Sequence, residues 1–314
     1  MIIDAFYAAP ALLILALGVY TTIVRDTFPA TVGYLAYGLL LTVAWVQLHG
    51  VDVALTEAAI GGGLTSLLLV RASARLRATE VPARLERASL PVRGLAALGA
   101  GGIAGALALA LLSLPDPAPT LAPAAMASIA STGVGNPITA VLMAYRAMDT
   151  MLEAIVLLLA IIGVWSLAPD RAWGGRPGPR YNADPDGILA FIARVLPPIG
   201  IIVGIYIFWV GADHPGGKFQ GATIVAAMWL LTLMAGLTDA PPISGRWLRV
   251  LLVAGPAVFI AVGAVGAVLA GAFLGYPDGW AKPLILVIEF ALMPSLALTL
   301  GLIMAGAPER IAST

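Results

Sequence analysis

Three ionisable residues interrupt the apolar run from Pro137 to Trp165, namely Arg146, Asp149 and Glu153. Because they are spaced three and four residues apart, a continuous helix carries all three along one face. Ionised side chains at that depth in a bilayer are energetically expensive, and they commonly mark ion or proton pathways. The cluster therefore indicates that the chain handles ions or protons.

Each member of this cluster also has a structural interpretation. Arg146 and Asp149 can form a neutralised pair, since a paired charge is cheaper to bury than a lone one. That interpretation leaves Glu153 one turn deeper without a partner. An unpaired carboxylate in this position is expected to exchange protons readily or to hold a cation.

Further polar candidates lie in other parts of the chain. Glu57 is about one turn into an apolar run and Glu289 lies well inside another. Glu57 is either an ion-handling group or an interfacial carboxylate that is hydrated from outside. His214 precedes Pro-Gly-Gly in a tight turn, where it is either a solvent-exposed turn residue or a group that exchanges protons near neutral pH.

The composition defines the class of protein that positions these residues. Hydrophobic residues make up 60% of the 314 residues, charged residues only 11%, and the mean hydropathy is +0.97. Soluble domains carry about 25% charged residues, so the chain is an integral membrane protein. It has no cysteine, which excludes disulfides, thiolate-bound zinc and cysteine-ligated iron–sulfur clusters.

Nine apolar runs are long enough to span a bilayer, which takes roughly 20 residues each. They predict an all-α polytopic fold with helices near 5–24, 28–48, 53–70, 91–114, 137–167, 188–210, 218–237, 248–274 and 281–306. No Lys or Arg precedes Arg25, so we expect the first run to be a retained helix rather than a cleaved signal.

The basic residues predict the orientation of these helices. Of the 17 Lys and Arg, 14 fall on one set of alternate loops and two, Lys218 and Lys282, on the other, with Arg146 inside the membrane. By the positive-inside rule, the N-terminus is outside and the C-terminus is cytoplasmic. The predicted location is the inner membrane of a bacterial or archaeal cell.

The fifth run is too long for a single perpendicular span. Residues 137–167 would extend on the order of 46 Å as a helix, whereas the hydrocarbon core is about 30 Å thick. Either this helix tilts steeply or its first third is a separate segment. In the second case the intramembrane carboxylates lie towards the outer side, and we expect a polar opening there near Glu57, Asp149, Glu153, His214 and Glu289.

Three ordered motifs resemble a known family. Residues 52–61 (DVALTEAAIG) resemble the signature of a three-helix domain at the C-terminal end of the large subunit of Mrp-type cation/proton antiporters. Residues 136–153 are similar to the two-helix segment that follows it, and residues 211–221 (GADHPGGKFQG) resemble the hairpin of the antiporter's B-type subunit. The same modules occur in membrane-bound hydrogenases and related redox-driven complexes. The three modules have three, two and four helices in the family, and their sum equals the nine spans predicted for this chain.

The resemblance implies a domain organisation and a function. It implies modules at 1–88, 89–170 and 188–314 with a cytoplasmic linker at 171–187. It also implies a non-catalytic subunit of a larger complex that helps form a cation path, usually proposed for Na⁺, with no cofactor and no bound metal. The partners would be other antiporter or membrane-bound oxidoreductase subunits, the lipid bilayer and the transported Na⁺ or H⁺, but not nucleic acid. The implied ion-handling residues are Glu57, Asp149 and Glu153 with His214 near the entrance, and Arg146 and Glu289 complete the candidate set.

Departures and alternatives accompany this resemblance. The family often has glycine and asparagine around His214, where this chain has Ala212 and Asp213, and Lys218 occupies a position where glycine is common. The additional charges of Asp213 and Lys218, which the sequence places at the outer opening, are expected to alter which cation is preferred. The alternatives are a subunit of a redox-driven or carbon-uptake complex and a structural bridging subunit; a self-sufficient secondary transporter is disfavoured.

Overall fold

A computed structural model of the chain describes residues 2–85 and 89–311. Arg87 and the predicted module boundary at residue 88 lie outside the described residues. Within the described ranges the chain is predominantly helical, which confirms the predicted all-α class. The helices are α1 (Ile2–Ile23), α2 (Thr27–Gln47), α3 (Val51–Thr56), α4 (Ser66–Leu85), α5 (Leu90–Leu112), α6 (Ala122–Ala127), α7 (Ile129–Thr132), α8 (Pro137–Ala140), α9 (Ala147–Ser166), α10 (Ile188–Val210), α11 (Lys218–Met234), α12 (Arg246–Leu269) and α13 (Ala281–Ala305).

Seven helical segments in the described part of the chain are long and apolar enough to cross a membrane. Two shorter apolar helices, Tyr7–Ile23 and Lys218–Met234, correspond to the first and seventh predicted spans. A helix satisfies its own backbone hydrogen bonds, so apolar runs of this length fold as helices in lipid. The count of nine spans and their orientation remain predictions.

Two π-helical segments interrupt the helices that carry predicted site residues. The first, Glu57–Thr65, joins α3 to α4 within one continuous apolar span. The second, Val141–Tyr145, follows α8. Such segments are rare and occur frequently at functional sites.

The structure distinguishes between the two possibilities for the long fifth run. Its first third is a separate segment made of α8 and the second π-helical segment, and α9 is the 20-residue helix that remains. Arg146 lies between them with non-helical backbone angles of φ −129° and ψ 37°. The expectation that Arg146, Asp149 and Glu153 share one helix face is therefore wrong, because Arg146 precedes the helix.

The core centres on α13, which packs against α9, α11 and α12. Ile285, Ile288 and Leu292 of α13 are almost completely buried with Phe259 of α12. In contrast, α5 has no buried residue, and a Cβ atom added at any of its glycines would meet nothing within 4 Å. The close packing of α13 thus holds the side chains on its buried face in fixed positions.

A two-stranded antiparallel ribbon connects the predicted linker to the C-terminal end. It pairs β1 (Arg176–Pro177) with β2 (Pro308–Arg310). The Arg310 guanidinium also donates a hydrogen bond to the Asp239 carboxylate at 2.6 Å, and this contact lowers the pKa of Asp239. The predicted linker at 171–187 is therefore partly ordered by strand pairing.

Candidate ion site

The hairpin between α10 and α11 is held by hydrogen bonds to the two preceding parts of the chain. The Asp52 carboxylate accepts hydrogen bonds from the Asn136 side-chain amide at 3.2 Å and from the Gly216 backbone N–H at 3.0 Å. The Asn136 amide also donates to the His214 carbonyl at 2.9 Å, and the Thr139 hydroxyl donates to the Gly211 carbonyl at 2.6 Å. Three sequence-distant segments therefore meet at one polar junction.

The local sequence explains why this junction forms. Asn136 caps α8 by accepting a hydrogen bond from the Ile138 backbone N–H at 2.9 Å, and Pro137 suits the first helical position. Gly216 and Gly217 both have φ of 146°, a conformation that side-chain-bearing residues rarely adopt. The Pro-Gly-Gly turn thus presents a backbone N–H to Asp52, and α11 begins immediately after the turn.

A cavity of about 280 Å³ lies at this junction. The ionisable residues on its lining are Asp52, Glu153, Lys218 and Glu289. They come from α3, α9, α11 and α13 respectively, so four helices contribute charge to one space. The cavity is large enough to hold several water molecules.

Lys218 and Glu289 form a buried ion pair on the wall of the cavity. The Lys218 ammonium lies 3.2 Å from Oε1 of Glu289, and the two side chains are only 8% and 3% exposed. The ammonium also lies 3.1 Å from Sδ of Met143. Lys218 is therefore not an additional charge at an exposed mouth, as the sequence suggested, because it is the first residue of α11 and packs inward against α13.

Tyr276, in the loop between α12 and α13, connects the second π-helical segment to this pair. Its hydroxyl donates a hydrogen bond to the Met143 carbonyl at 2.7 Å. Burial, and to a lesser extent the Glu289 carboxylate, raise the pKa of Tyr276 to about 12. The phenol consequently stays protonated and acts as a donor that fixes the backbone beside Lys218.

Glu153 lies on the cavity lining and stays accessible at its edge. Lys218 is within electrostatic range of it. The expectation that Glu153 lacks any compensating charge is therefore wrong, because the buried lysine of α11 faces the same space. The structure brings together two of the predicted site residues, Glu153 and Glu289.

The remaining predicted residues lie apart from this cavity. Arg146 and Asp149 form an ion pair at 2.6 Å, with side chains 70% and 54% exposed in the single chain. His214 has an exposed side chain in the hairpin and joins the junction through its carbonyl. Glu57 extends over Gly61, since a Cβ atom added at Gly61 would collide with the Glu57 carboxylate. The Glu57 carboxylate also faces Gly38 of α2 and is not on the cavity lining.

A second ion pair fastens the hairpin to the start of α13. The Lys282 ammonium lies 2.7 and 2.8 Å from the two carboxylate oxygens of Asp213. Asp213 also accepts a hydrogen bond from the Gly135 backbone N–H at 3.0 Å. The Lys282 hydrogen bond is the main cause that lowers the pKa of Asp213. This pair is partly exposed, in contrast to the Lys218–Glu289 pair.

Sequence reasoning missed the roles of Asp52, Asn136 and Lys218. Their signals were present: an Asn-Pro helix start, a carboxylate in the first turn of α3, and a lysine opposite in charge to a glutamate of another apolar run. Their partners are distant in sequence, and only the packing of α3, α11 and α13 identifies them.

Two family models match the chain. Residues 188–307 match MnhB, described as a domain related to the MnhB subunit of Na⁺/H⁺ antiporter. Residues 12–78 match MbhD, described as the D-type subunit of MBH. These matches occur in the order in which the first and third motifs occur in the sequence.

Curated relatives extend the likeness. A protein of Rhizobium meliloti, named as the probable A/B-type subunit of a K⁺/H⁺ antiporter, is 26% identical over 276 residues, which cover 76% of this chain and 26% of the relative. An uncharacterized protein of Methanocaldococcus jannaschii is 25% identical over 165 residues, which cover 45% of this chain and 60% of that protein. The chain thus spans about a quarter of the length of the Rhizobium relative.

Two solved structures share the fold. A chain of the Mrp complex from Dietzia sp. DQ12-45-1b matches 98% of this chain with a TM-score of 0.71 and 22% identity, and the match covers 35% of that chain. A chain of the membrane-bound sulfane sulfur reductase, an archaeal respiratory membrane complex, matches 68% of this chain and 96% of its own with a TM-score of 0.57 and 24% identity. This chain is thus a multi-pass membrane protein in which a region similar to MbhD and a region similar to MnhB follow one another in one polypeptide.

Proposed function

We propose that this chain is a non-catalytic membrane subunit of a multi-subunit cation/proton antiporter and forms part of its cation path. The observation that carries the proposal is the cavity that Glu153, Lys218 and Glu289 line between α9, α11 and α13. Ionisable groups in membrane-spanning segments line ion pathways or hold one another in place. The lining carries three carboxyl groups, those of Asp52, Glu153 and Glu289, against one ammonium, and this balance of charge favours a cation.

The name of the Rhizobium relative supports K⁺ as a candidate ion beside the Na⁺ that the sequence motifs suggested. The partners in this proposal are the other subunits of the antiporter. The proposal concerns the cation path alone, because the match covers about a quarter of the length of this relative.

A second candidate is a redox-driven membrane complex. Two observations favour it, namely the MbhD match over residues 12–78 and the fold shared with a chain of the sulfane sulfur reductase. In that setting the same cavity would couple ion movement to electron transfer in partner subunits. The presence or absence of metal-cluster subunits in the purified complex distinguishes the two candidates.

The test uses the assembled complex in inverted membrane vesicles. We expect Glu153→Gln to abolish most of the proton release that added Na⁺ or K⁺ causes in vesicles acidified by respiration. Glu57→Gln tests whether Glu57, a predicted ion-handling carboxylate that lies outside the cavity, contributes to this activity. Asp278→Asn is the matched control, because this exposed carboxylate lies in the loop before α13.

The outcome is read only from variants that assemble normally. Unchanged cation-dependent activity in both glutamate variants contradicts the proposal. Lost assembly with unchanged ion dependence in the remaining complex would instead support a structural bridging subunit.

A further inference from the structure

The cavity already contains a cation that belongs to the protein. The Lys218 ammonium is more than nine-tenths buried, contacts the Glu289 carboxylate at 3.2 Å and faces Glu153 across the same space. We propose that Lys218 is a tethered counter-cation that excludes alkali cations from Glu289. In this proposal, which rests on the proposed function, its ammonium occupies at Glu289 the place that an alkali cation would otherwise take.

The charges of the lining explain the proposal. With Lys218 present, the buried carboxylate of Glu289 is neutralised, and Glu153 at the cavity edge is the group left to exchange a proton or a cation. Asp52 also lines the cavity, but its carboxylate already accepts hydrogen bonds from Asn136 and Gly216. A buried carboxylate without a partner is strongly unfavourable, so removal of the ammonium creates a requirement for another cation at Glu289.

Other groups on the cavity lining suit such a replacement. The cavity lining includes the hydroxyl-bearing side chains of Thr56, Thr139 and Thr150 and the side-chain amide of Gln220. Hard metal cations prefer oxygen ligands of these kinds. An ammonium instead needs hydrogen-bond acceptors for its N–H donors, and that of Lys218 has two, the Glu289 carboxylate and the sulfur of Met143.

The geometry also explains how one lysine limits the cavity to one exchanging charge. The lysine side chain is a flexible four-carbon stem with a compact charge. When the Lys218 ammonium is held at Glu289, only Glu153 of the two glutamates on the lining is open to an incoming ion. Lys218→Gln is therefore expected to add a second site, at Glu289, for Na⁺ or K⁺.

The experiment measures thermal unfolding of the purified complex rather than transport. NaCl or KCl replaces choline chloride at constant ionic strength. A ligand that binds only the folded state raises the melting temperature with its concentration. We expect the melting temperature of Lys218→Gln to rise by roughly 5 °C more than that of wild type at saturating alkali cation.

Two variants control this measurement. Lys282→Gln removes the partly exposed lysine at the same end of the bundle and is expected to respond as wild type does. Lys218→Gln combined with Glu289→Gln removes both charges, and the added response should disappear. If Lys218→Gln responds to Na⁺ and K⁺ no more than wild type, the proposal is overturned.

The proposal remains testable if Lys218→Gln does not assemble in choline. It then predicts that extraction in NaCl or KCl restores the complex. Failure in every salt, with normal assembly of the double variant, overturns it. This experiment does not measure transport. If the Glu153→Gln and Glu57→Gln variants keep their transport activity, the proposed function is contradicted, and that result is separate from the outcome of the unfolding measurement.

Discussion

The carboxylate of Asp52 accepts a hydrogen bond from the side-chain amide of Asn136, 84 positions further along the chain, at a distance of 3.2 Å. The same carboxylate oxygen accepts the Gly216 backbone N–H. This contact joins the MbhD-type part, the segment that follows it and the hairpin of the MnhB-type domain. By accepting hydrogen bonds from the Asn136 amide and the Gly216 backbone, Asp52 therefore positions the hairpin at the edge of the cavity.

Asp52→Ala is expected to destabilise this junction. It leaves the Gly216 N–H and one Asn136 N–H without their acceptor, and an unsatisfied buried donor costs about 1–3 kcal/mol. Asp52→Asn keeps a side-chain oxygen and should lose less. Thermal unfolding of the purified complex measures both variants. Equal melting temperatures for Asp52→Ala and wild type would show that the junction is not important for stability.

Glu289→Leu is expected to destabilise the protein more strongly than Asp52→Ala. It leaves the buried Lys218 ammonium without its carboxylate partner, and loss of one member of a buried pair costs about 3–5 kcal/mol. Addition of Lys218→Met removes the remaining charge and should recover most of the loss. The melting temperatures of the four proteins in this double-mutant cycle give the coupling between the two residues. Additive effects would mean that the two side chains do not interact.

The fold class was predictable because the apolar runs are long and uninterrupted. Lipid leaves a chain with no alternative to internal backbone hydrogen bonding, so each run predicts a helix. The break at Arg146 and the two π-helical segments were not predictable in detail. The second segment contains the buried Met143 and follows the helix that Asn136 caps, and no periodicity in one sequence reveals these contacts.

The candidate site was predictable only in part. Charge inside apolar runs identified Glu153 and Glu289, which the structure brings to one cavity. The same rule included Arg146 and Asp149 in the candidate set, and their alternative interpretation as a mutually neutralising pair agrees with the ion pair that they form on an exposed part of the chain. Lys218 was counted with an external loop, at the start of the seventh predicted span. Its burial depends on the approach of α11 to α13, which is a tertiary property.

Close packing of α10 on α11 provides another prediction. A Cβ atom at Gly221 would lie 2.5 Å from the backbone carbonyl oxygen of Gly204, and backbone atoms cannot move aside cheaply. Gly221→Ala is therefore expected to destabilise the protein by about 1–3 kcal/mol, a typical cost of overpacking. Gly163→Ala is the matched control, since a Cβ there meets nothing within 4 Å. A melting temperature of Gly221→Ala equal to that of Gly163→Ala would contradict the close approach.

The Asp213–Lys282 pair predicts a pH dependence of stability. Hydrogen bonding to Lys282 lowers the pKa of Asp213 in the folded protein, so the folded state favours the ionised carboxylate. The resulting stabilisation is present above the pKa of about 3.9 that an unfolded aspartate has, and it is lost as the pH falls through the lower folded value. Because the side chains are 49% and 34% exposed, solvent screening limits it to at most about 1 kcal/mol.

Asp213→Asn removes this contribution and thereby measures it. Thermal unfolding of wild type and Asp213→Asn should differ most near pH 6, with wild type more stable, and the difference should shrink as the pH falls from about 4 to 3. High salt should reduce the difference at pH 6, because the pair is partly exposed. Asp278→Asn, in the loop before α13, is expected to leave the profile unchanged. A difference between wild type and Asp213→Asn that grows on acidification would show that the carboxylate is not stabilised in its ionised form.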